Sequence, residues 1–199
     1  HTWVQNLLSG DFSGASKLAQ QIWLQNFPIY ITRDLDEAKE YVKIRFEGEI
    51  TKRYGILASS KDQVLPEFGI KNGFQDTKLV KNARWYNENL GTKGSCCNLE
   101  EVVTEFGCQG LELDMAIVGW GNDLLWNGDK WELRKMRTRI PQEDPHQLRV
   151  NSYRVLLTRS REGLIVFIPP KPEFDKTELA LLASGARFLQ SKVSLSKIS

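Results

Sequence analysis

The chain reads as an α/β protein with a mainly parallel sheet, helices on both faces and a β-hairpin insertion, and three observations lead there. Short apolar runs such as Ile29-Tyr30-Ile31, RYGILA from Arg53 to Ala58 and MAIVGW from Met115 to Trp120 have the length and uniform hydrophobicity of strands covered on both faces. Between them lie segments whose apolar residues recur at helical spacing, so strand, helix and strand alternate. With 199 residues, 41% of them hydrophobic, the chain is long enough to bury a good-sized core without disulfides or a structural metal.

From Ala15 to Asn26, Leu18, Ala19, Ile22 and Trp23 form the apolar stripe of an amphipathic helix, which Pro28 ends before the strand at Ile29. The opening His1-Thr2-Trp3 has no initiator methionine and points to a truncated piece. Residues 1–27 accordingly read as an N-terminal helical segment left over from an inter-domain region, and residues 28–199 as the main domain. Asp34 caps the next helix, with Asp36 and Glu37 in its first turn complementing the helix dipole and Ala38, Tyr41 and Val42 on its inner face. The strand RYGILA follows, closed by the polar Ser59-Ser60-Lys61-Asp62.

Residues Glu67 to Ser95, rich in Gly, Asn and Lys, read as a long surface excursion. Val102-Val103 is a short strand, Phe106 to Leu111 a single helical turn, and Met115 to Trp120 the next buried strand. Leu124-Leu125-Trp126, Asn127-Gly128 and Lys130-Trp131-Glu132-Leu133 read as a hairpin, because Asn-Gly suits the positive φ angles of a tight type I′ turn. Pro145 starts a helix with Leu148, Tyr153, Leu156 and Leu157 in the core, broken by Gly163 before a strand from Leu164 to Ile168. Thr177 caps a last helix that carries Leu179, Leu182, Ala183, Ala186 and Leu189.

Composition excludes more than it assigns. A net charge of +2 is too mild to require a nucleic-acid partner, though it leaves room for a local basic face. No tract is long enough to cross a bilayer and no signal-peptide pattern opens the chain, so no membrane role is expected and a soluble, cytoplasmic protein is. Cys96, Cys97 and Cys108 include an adjacent pair and make neither a disulfide framework nor a Cys-x-x-Cys zinc site. With His1 and His146 the only histidines, a Ser-His-Asp arrangement is not expected. The phosphate-cradling Gly-x-x-x-x-Gly-Lys-Ser/Thr loop is absent; Gly91-Thr92-Lys93-Gly94-Ser95 and Gly119-Trp120-Gly121 have the wrong spacing.

Two segments remain that carry chemistry: TEFGCQGLELD from Thr104 to Asp114, and NSYRVLLTRSREGLIVF from Asn151 to Phe167. Each sets polar or charged residues at a junction between helix and strand, where open α/β sheets bind ligands. Arg159 and Arg161 suit phosphate, because the planar guanidinium donates two aligned hydrogen bonds.

These residues carry a resemblance. VVTEFGCQGLELDMAIVGW resembles motif V of superfamily-one helicases, NSYRVLLTRSREGLIVF is similar to motif VI, and RYGILASSKDQ stands in the place of motif IV. With WGNDLLW between them, the series resembles the schlafen-related group of bacterial DNA/RNA helicases, from about Arg53 to about Gly185.

The resemblance implies a RecA-like second motor domain of the P-loop NTPase superfamily, closing over ATP with Mg²⁺ held by an N-terminal RecA-like ATP-binding domain of the same parent chain. It assigns Arg159 as an arginine finger, Glu112 as a group near the ribose or γ-phosphate, Gly110 as a point of close backbone approach, Gln109 as a hydrogen-bonding contact and Arg161 as a further phosphate ligand. Thr104, Ser59, Ser60 and Lys61 would meet the backbone of DNA or RNA, expected single-stranded; Trp120, Trp126 and Trp131 could stack on bases, but tryptophans in and around a hairpin more often serve cross-strand and core packing. Without a phosphate loop the fragment alone is expected to be inactive. The alternatives are a RecA-like docking module that has lost catalysis, and a metal-dependent nuclease built on Glu112, Asp114 and Asp123.

Overall fold

The computed structural model describes residues 1–133 and 144–190. Two helices open the chain, α1 (Thr2–Ser9) and α2 (Phe12–Leu24), followed by strand β1 (Ile29–Thr32), helix α3 (Leu35–Arg45) and strand β2 (Tyr54–Ala58). Two short helices, α4 (Phe74–Thr77) and α5 (Asn82–Asn87), precede β3 (Val102–Thr104) and β4 (Leu113–Gly119). The hairpin strands β5 (Leu124–Trp126) and β6 (Trp131–Leu133), helix α6 (Pro145–Leu157), strand β7 (Ser160–Phe167), helix α7 (Asp175–Ala183) and strand β8 (Arg187–Phe188) complete it.

Six strands form one sheet in the order β3-β2-β4-β7-β1-β8, and every neighbouring pair is parallel. This is the α/β architecture expected, a parallel sheet flanked by helices that is consistent with a RecA-like, P-loop type of fold. The central strands are buried on both faces: every residue of β2, and all of β4 except Asp114. Such double burial follows from a parallel sheet, whose crossovers lay helices over both sides. Asp34 accepts from the amides of Asp36 and Glu37 and starts α3, with Ala38 and Val42 buried beneath it. Gly163 pairs with Met115 next to an irregularity in the β4–β7 register, where a Cβ would lie 2.9 Å from the Met115 methyl.

Helices α1 and α2 bury Trp3, Val4, Leu7, Leu8, Ala15 and Ala19 in the same apolar cluster as the sheet. The indole of Trp3 donates to the Ser184 carbonyl at 2.8 Å, and that of Trp131 to the Leu7 carbonyl at 2.9 Å.

Several local expectations are corrected. The 67–95 stretch is not only a surface excursion: Ile70, Trp85 and Ser95 are buried, and the Trp85 ring occupies the space that a side chain at Gly55 would need. Phe106 to Leu111 makes turns rather than a helix. The hairpin closes through a four-residue connection, with Trp126 opposite Trp131, because the Asn127 side-chain carbonyl accepts from the amides of Asp129 and Lys130 and substitutes for a tight two-residue turn. Helix α6 ends at Leu157, and Gly163 lies inside β7 rather than before it. Leu148 and Leu179 are exposed, while α7 buries Thr177, Ala180 and Leu181, a different face from the one expected; Gly185, at φ 93, then turns the chain into β8.

Candidate functional site

The two motif-bearing junctions lead into β4 and β7 rather than out of them. They therefore lie at the amino ends of the parallel strands, opposite the carboxyl-end crevice where open α/β sheets ordinarily hold ligands. This corrects the expectation that these junctions belong to that crevice. The register joins them: Leu113 pairs with Ser160, and the Leu113 amide donates to the Arg159 carbonyl at 2.7 Å.

Arg159, two residues past the end of α6, is half-buried. Its guanidinium donates to the carbonyl oxygens of Val155 at 3.0 Å and Leu111 at 3.4 Å and to the Thr158 hydroxyl at 3.3 Å. All of these partners are neutral, and among the described residues Arg159 makes no ion pair. A cation oriented by carbonyls but not neutralised is suited to receive an anion. Its field also reaches Cys108, whose thiol burial pushes up to about 12 against the opposing pull of Arg159.

Gln109, Gly110 and Glu112 are exposed on the same lip. Gly110 has φ 78, and nothing lies within 4 Å of where its Cβ would be, so its backbone is open to a ligand. The Glu112 carboxylate accepts from Arg161 Nε at 2.8 Å, a bond that holds the Arg161 guanidinium above its ordinary value; both side chains are more than half exposed. Next to them, Asp114 Oδ2 accepts from the Arg53 amide at 2.7 Å, which fixes the start of β2 to β4.

The opposite lip, at the carboxyl ends of β2, β3 and β4, holds a buried polar cluster. Arg149, from α6, places Nε 3.0 Å from Asp123 Oδ2 and Nη1 3.6 Å from Glu105 Oε1, and donates to the Ser59 hydroxyl at 2.8 Å. Tyr153 donates to Asp123 Oδ1 at 2.7 Å and Ser59 to Asp123 Oδ2 at 2.5 Å. Asp62 accepts from the amides of Val64, Leu65 and Asn122. Desolvation raises the carboxyls of Asp62 and Asp123 above the ordinary carboxylate range.

Against this geometry the nucleic-acid candidates separate. Ser59 is fully buried with its hydroxyl committed to Asp123 and Arg149, so its side chain is not presented to a ligand. Ser60, whose amide and hydroxyl both donate to Glu105, is half-buried, Lys61 is exposed, and Thr104 is buried at the end of β3. Trp120 and Trp131 are buried and Trp126 packs edge-on against Phe12 and Trp131, which makes them a packing cluster rather than a stacking platform. The nuclease alternative fails on placement: Glu112 and Asp114 are at the amino ends of the sheet and Asp123 at the carboxyl ends. Among the described residues no three His, Cys, Asp or Glu side chains gather as a metal site.

Sequence reading missed Glu105 and Arg149 altogether. No local signal marks them: Glu105 stands between Thr104 and the exposed Phe106, and Arg149 follows the exposed Leu148.

A family model described as Schlafen group 3, DNA/RNA helicase domain, matches residues 1–170. The match begins well before Arg53, where the motif resemblance starts, and takes in α1 and α2. Neither the curated proteins nor the solved structures yield a match. Among the described residues no helix is long and apolar enough to cross a membrane.

Proposed function

The chain belongs to the Schlafen group 3 DNA/RNA helicase domain family, and from that premise we propose that it is a RecA-like second motor half, lending an arginine finger to ATP held by a separate ATP-binding domain. One observation carries the reading: Arg159 is oriented by neutral oxygens, lacks an ion-pair partner among the described residues, and shares its lip with the open backbone of Gly110. A triphosphate with Mg²⁺, when bound, supplies the scissile anhydride and its counter-charge. Arg159 offers the guanidinium that matches charge developing on phosphoryl oxygens. Gly110 admits backbone amides close to a phosphate, Gln109 adds a neutral hydrogen-bonding group, and Glu112 and Arg161 hold one another in place until a nucleotide competes for them.

On the other lip, Thr104, Ser60 and Lys61 are the proposed contacts to a DNA or RNA backbone, with Ser59 supporting them from beneath. The test is ATP hydrolysis by this domain joined to its ATP-binding partner domain, with and without single-stranded nucleic acid. Arg159→Ala is expected to lower turnover about 10³-fold or more, and Arg159→Lys to recover little, because a point charge cannot reproduce the planar fork. Turnover within threefold of wild type in Arg159→Ala rejects the finger. A pair that never hydrolyses ATP while the chain still binds nucleic acid favours the docking-module reading instead.

A further inference from the structure

On the outer side of edge strand β3, between it and α4, runs a groove of about 510 Å³ lined by Ser60, Lys61, Phe74, Lys78, Thr104 and Phe106, among others. Val80 and Val103 also line it. Phe74 is 76% exposed and Phe106 68% exposed, large apolar rings left in water on the two elements that bound the groove. The ammonium of Lys78 lies 5.8 Å from the centre of the Phe74 ring.

The charge here is one-sided. From Lys71 to Arg84 the chain carries Lys71, Lys78, Lys81 and Arg84 against Asp76. Glu105, the acid nearest Phe106 in sequence, is 4% exposed and turned inward to Ser60 and Arg149. An apolar trough with aromatic rings at its sides and ammonium groups near its rim matches a polymer with flat apolar faces and a regular anionic edge.

We infer that this groove binds single-stranded nucleic acid, with bases stacking on Phe74 and Phe106 and phosphates paired with Lys61 and Lys78. The inference rests on the nucleic-acid half of the proposed function and extends it from backbone contact to base stacking. Single strands are selected because a duplex hides the base faces that the rings require, and sequence tolerance follows because every base has such a face. The volume is in the range of sites that enclose small ligands, enough for a base and its sugar. The rings replace the tryptophans, which the fold uses internally.

Fluorescence anisotropy with labelled oligo(dT), oligo(U) and a blunt duplex of equal length, titrated with this chain over a series of salt concentrations, tests it. Both single strands are expected to bind more tightly than the duplex. Phe74→Ala and Phe106→Ala should each weaken single-strand binding about tenfold with the salt slope unchanged. Lys61→Gln with Lys78→Gln should reduce the slope by about 1.4, from roughly 0.7 per phosphate on single strands. Since both rings are mostly exposed, the variants should unfold at the wild-type temperature, a control read by circular dichroism.

Single-strand affinity within twofold of wild type in the double phenylalanine variant, or equal binding of duplex and single strand, overturns the inference while leaving backbone contact at Thr104 and Lys61 standing. Failure of the wild-type chain to bind any probe at low salt overturns both, and leaves the Arg159 assignment to its own assay.

Discussion

Replacing Arg149 by methionine tests how the carboxyl-end cluster is held together. The Arg149 side chain is 11% exposed, and its guanidinium pairs with the buried carboxylates of Asp123 at 3.0 Å and Glu105 at 3.6 Å. Methionine keeps most of the apolar stem, so loss of volume contributes little. What remains is a buried Asp123 carboxylate without a cation, for which breaking a buried pair costs about 3–5 kcal/mol. The donors from Ser59 and Tyr153 survive and place the value near the lower end. At about 2–4 °C per kcal/mol for a chain of this size, the melting temperature should fall by about 6 to 12 °C, measured by calorimetry at neutral pH.

The sign of the pH dependence supplies a second readout. Burial raises the carboxyls of Asp123 and Asp62 even with Arg149 present. Each group's contribution is therefore full below the unfolded-state carboxylate pKa and is lost as pH rises through the raised folded value. Removing Arg149 raises Asp123 further, so the deficit of the variant should be largest near neutrality and shrink as pH falls toward the carboxylate range, where a protonated Asp123 needs no cation. A fall of under about 2 °C, below the threshold set by these magnitudes, or a deficit equal at acid and neutral pH would refute the reasoning.

Two further predictions concern residues whose roles changed between sequence and structure. Ser59→Ala removes a donor to Asp123 and an acceptor for Arg149, and should cost about 1–2 kcal/mol in urea unfolding while nucleic-acid affinity changes less than twofold; a larger loss of affinity with unchanged stability would return the hydroxyl to ligand contact. Trp85→Ala should cost about 3–5 kcal/mol, because its fully buried ring fills the space over Gly55; a loss under about 1 kcal/mol would mean that the 67–95 stretch is a surface appendage after all.

The strands were legible because burial on both faces leaves short apolar runs with nothing polar to confuse them, as in RYGILA and MAIVGW. Helix α3 was legible through its cap, a local hydrogen bond written into Asp34 and its two followers. Failures concentrate where partners distant in sequence decide. Helix α7 was placed on the wrong face because Thr177 is buried to accept from the Trp126 amide at 2.9 Å, a contact no periodicity reveals. Trp85 was assigned to a loop because its neighbours are polar, while the vacancy it fills is Gly55, thirty residues earlier. The Glu105–Arg149–Asp123 cluster was invisible for the same reason, since charge is read as surface until topology brings three strand ends and a helix together.

That helix is also what joins the two lips. Arg149 lies in the second turn of α6 and is bound to Glu105 and Asp123 at the carboxyl ends of the sheet, and the helix runs 13 residues to Leu157, just before Arg159 at the amino ends. At about 1.5 Å per residue, it spans the sheet with little slack, and the buried Val150, Tyr153, Leu156 and Leu157 fix its rotation. Ser60, a proposed phosphate contact, shares the Glu105 carboxylate with Arg149. A phosphate drawn to Ser60 would accept from the same amide and hydroxyl as Glu105 and so compete with a carboxylate that pairs with α6 through Arg149, and the carbonyl of Val155 that orients Arg159 belongs to that same helix. On the proposed function, the nucleic-acid lip and the finger share one rigid element, held by the Arg149 ion pairs at one end and joined to Arg159 through the neutral Val155 carbonyl at the other.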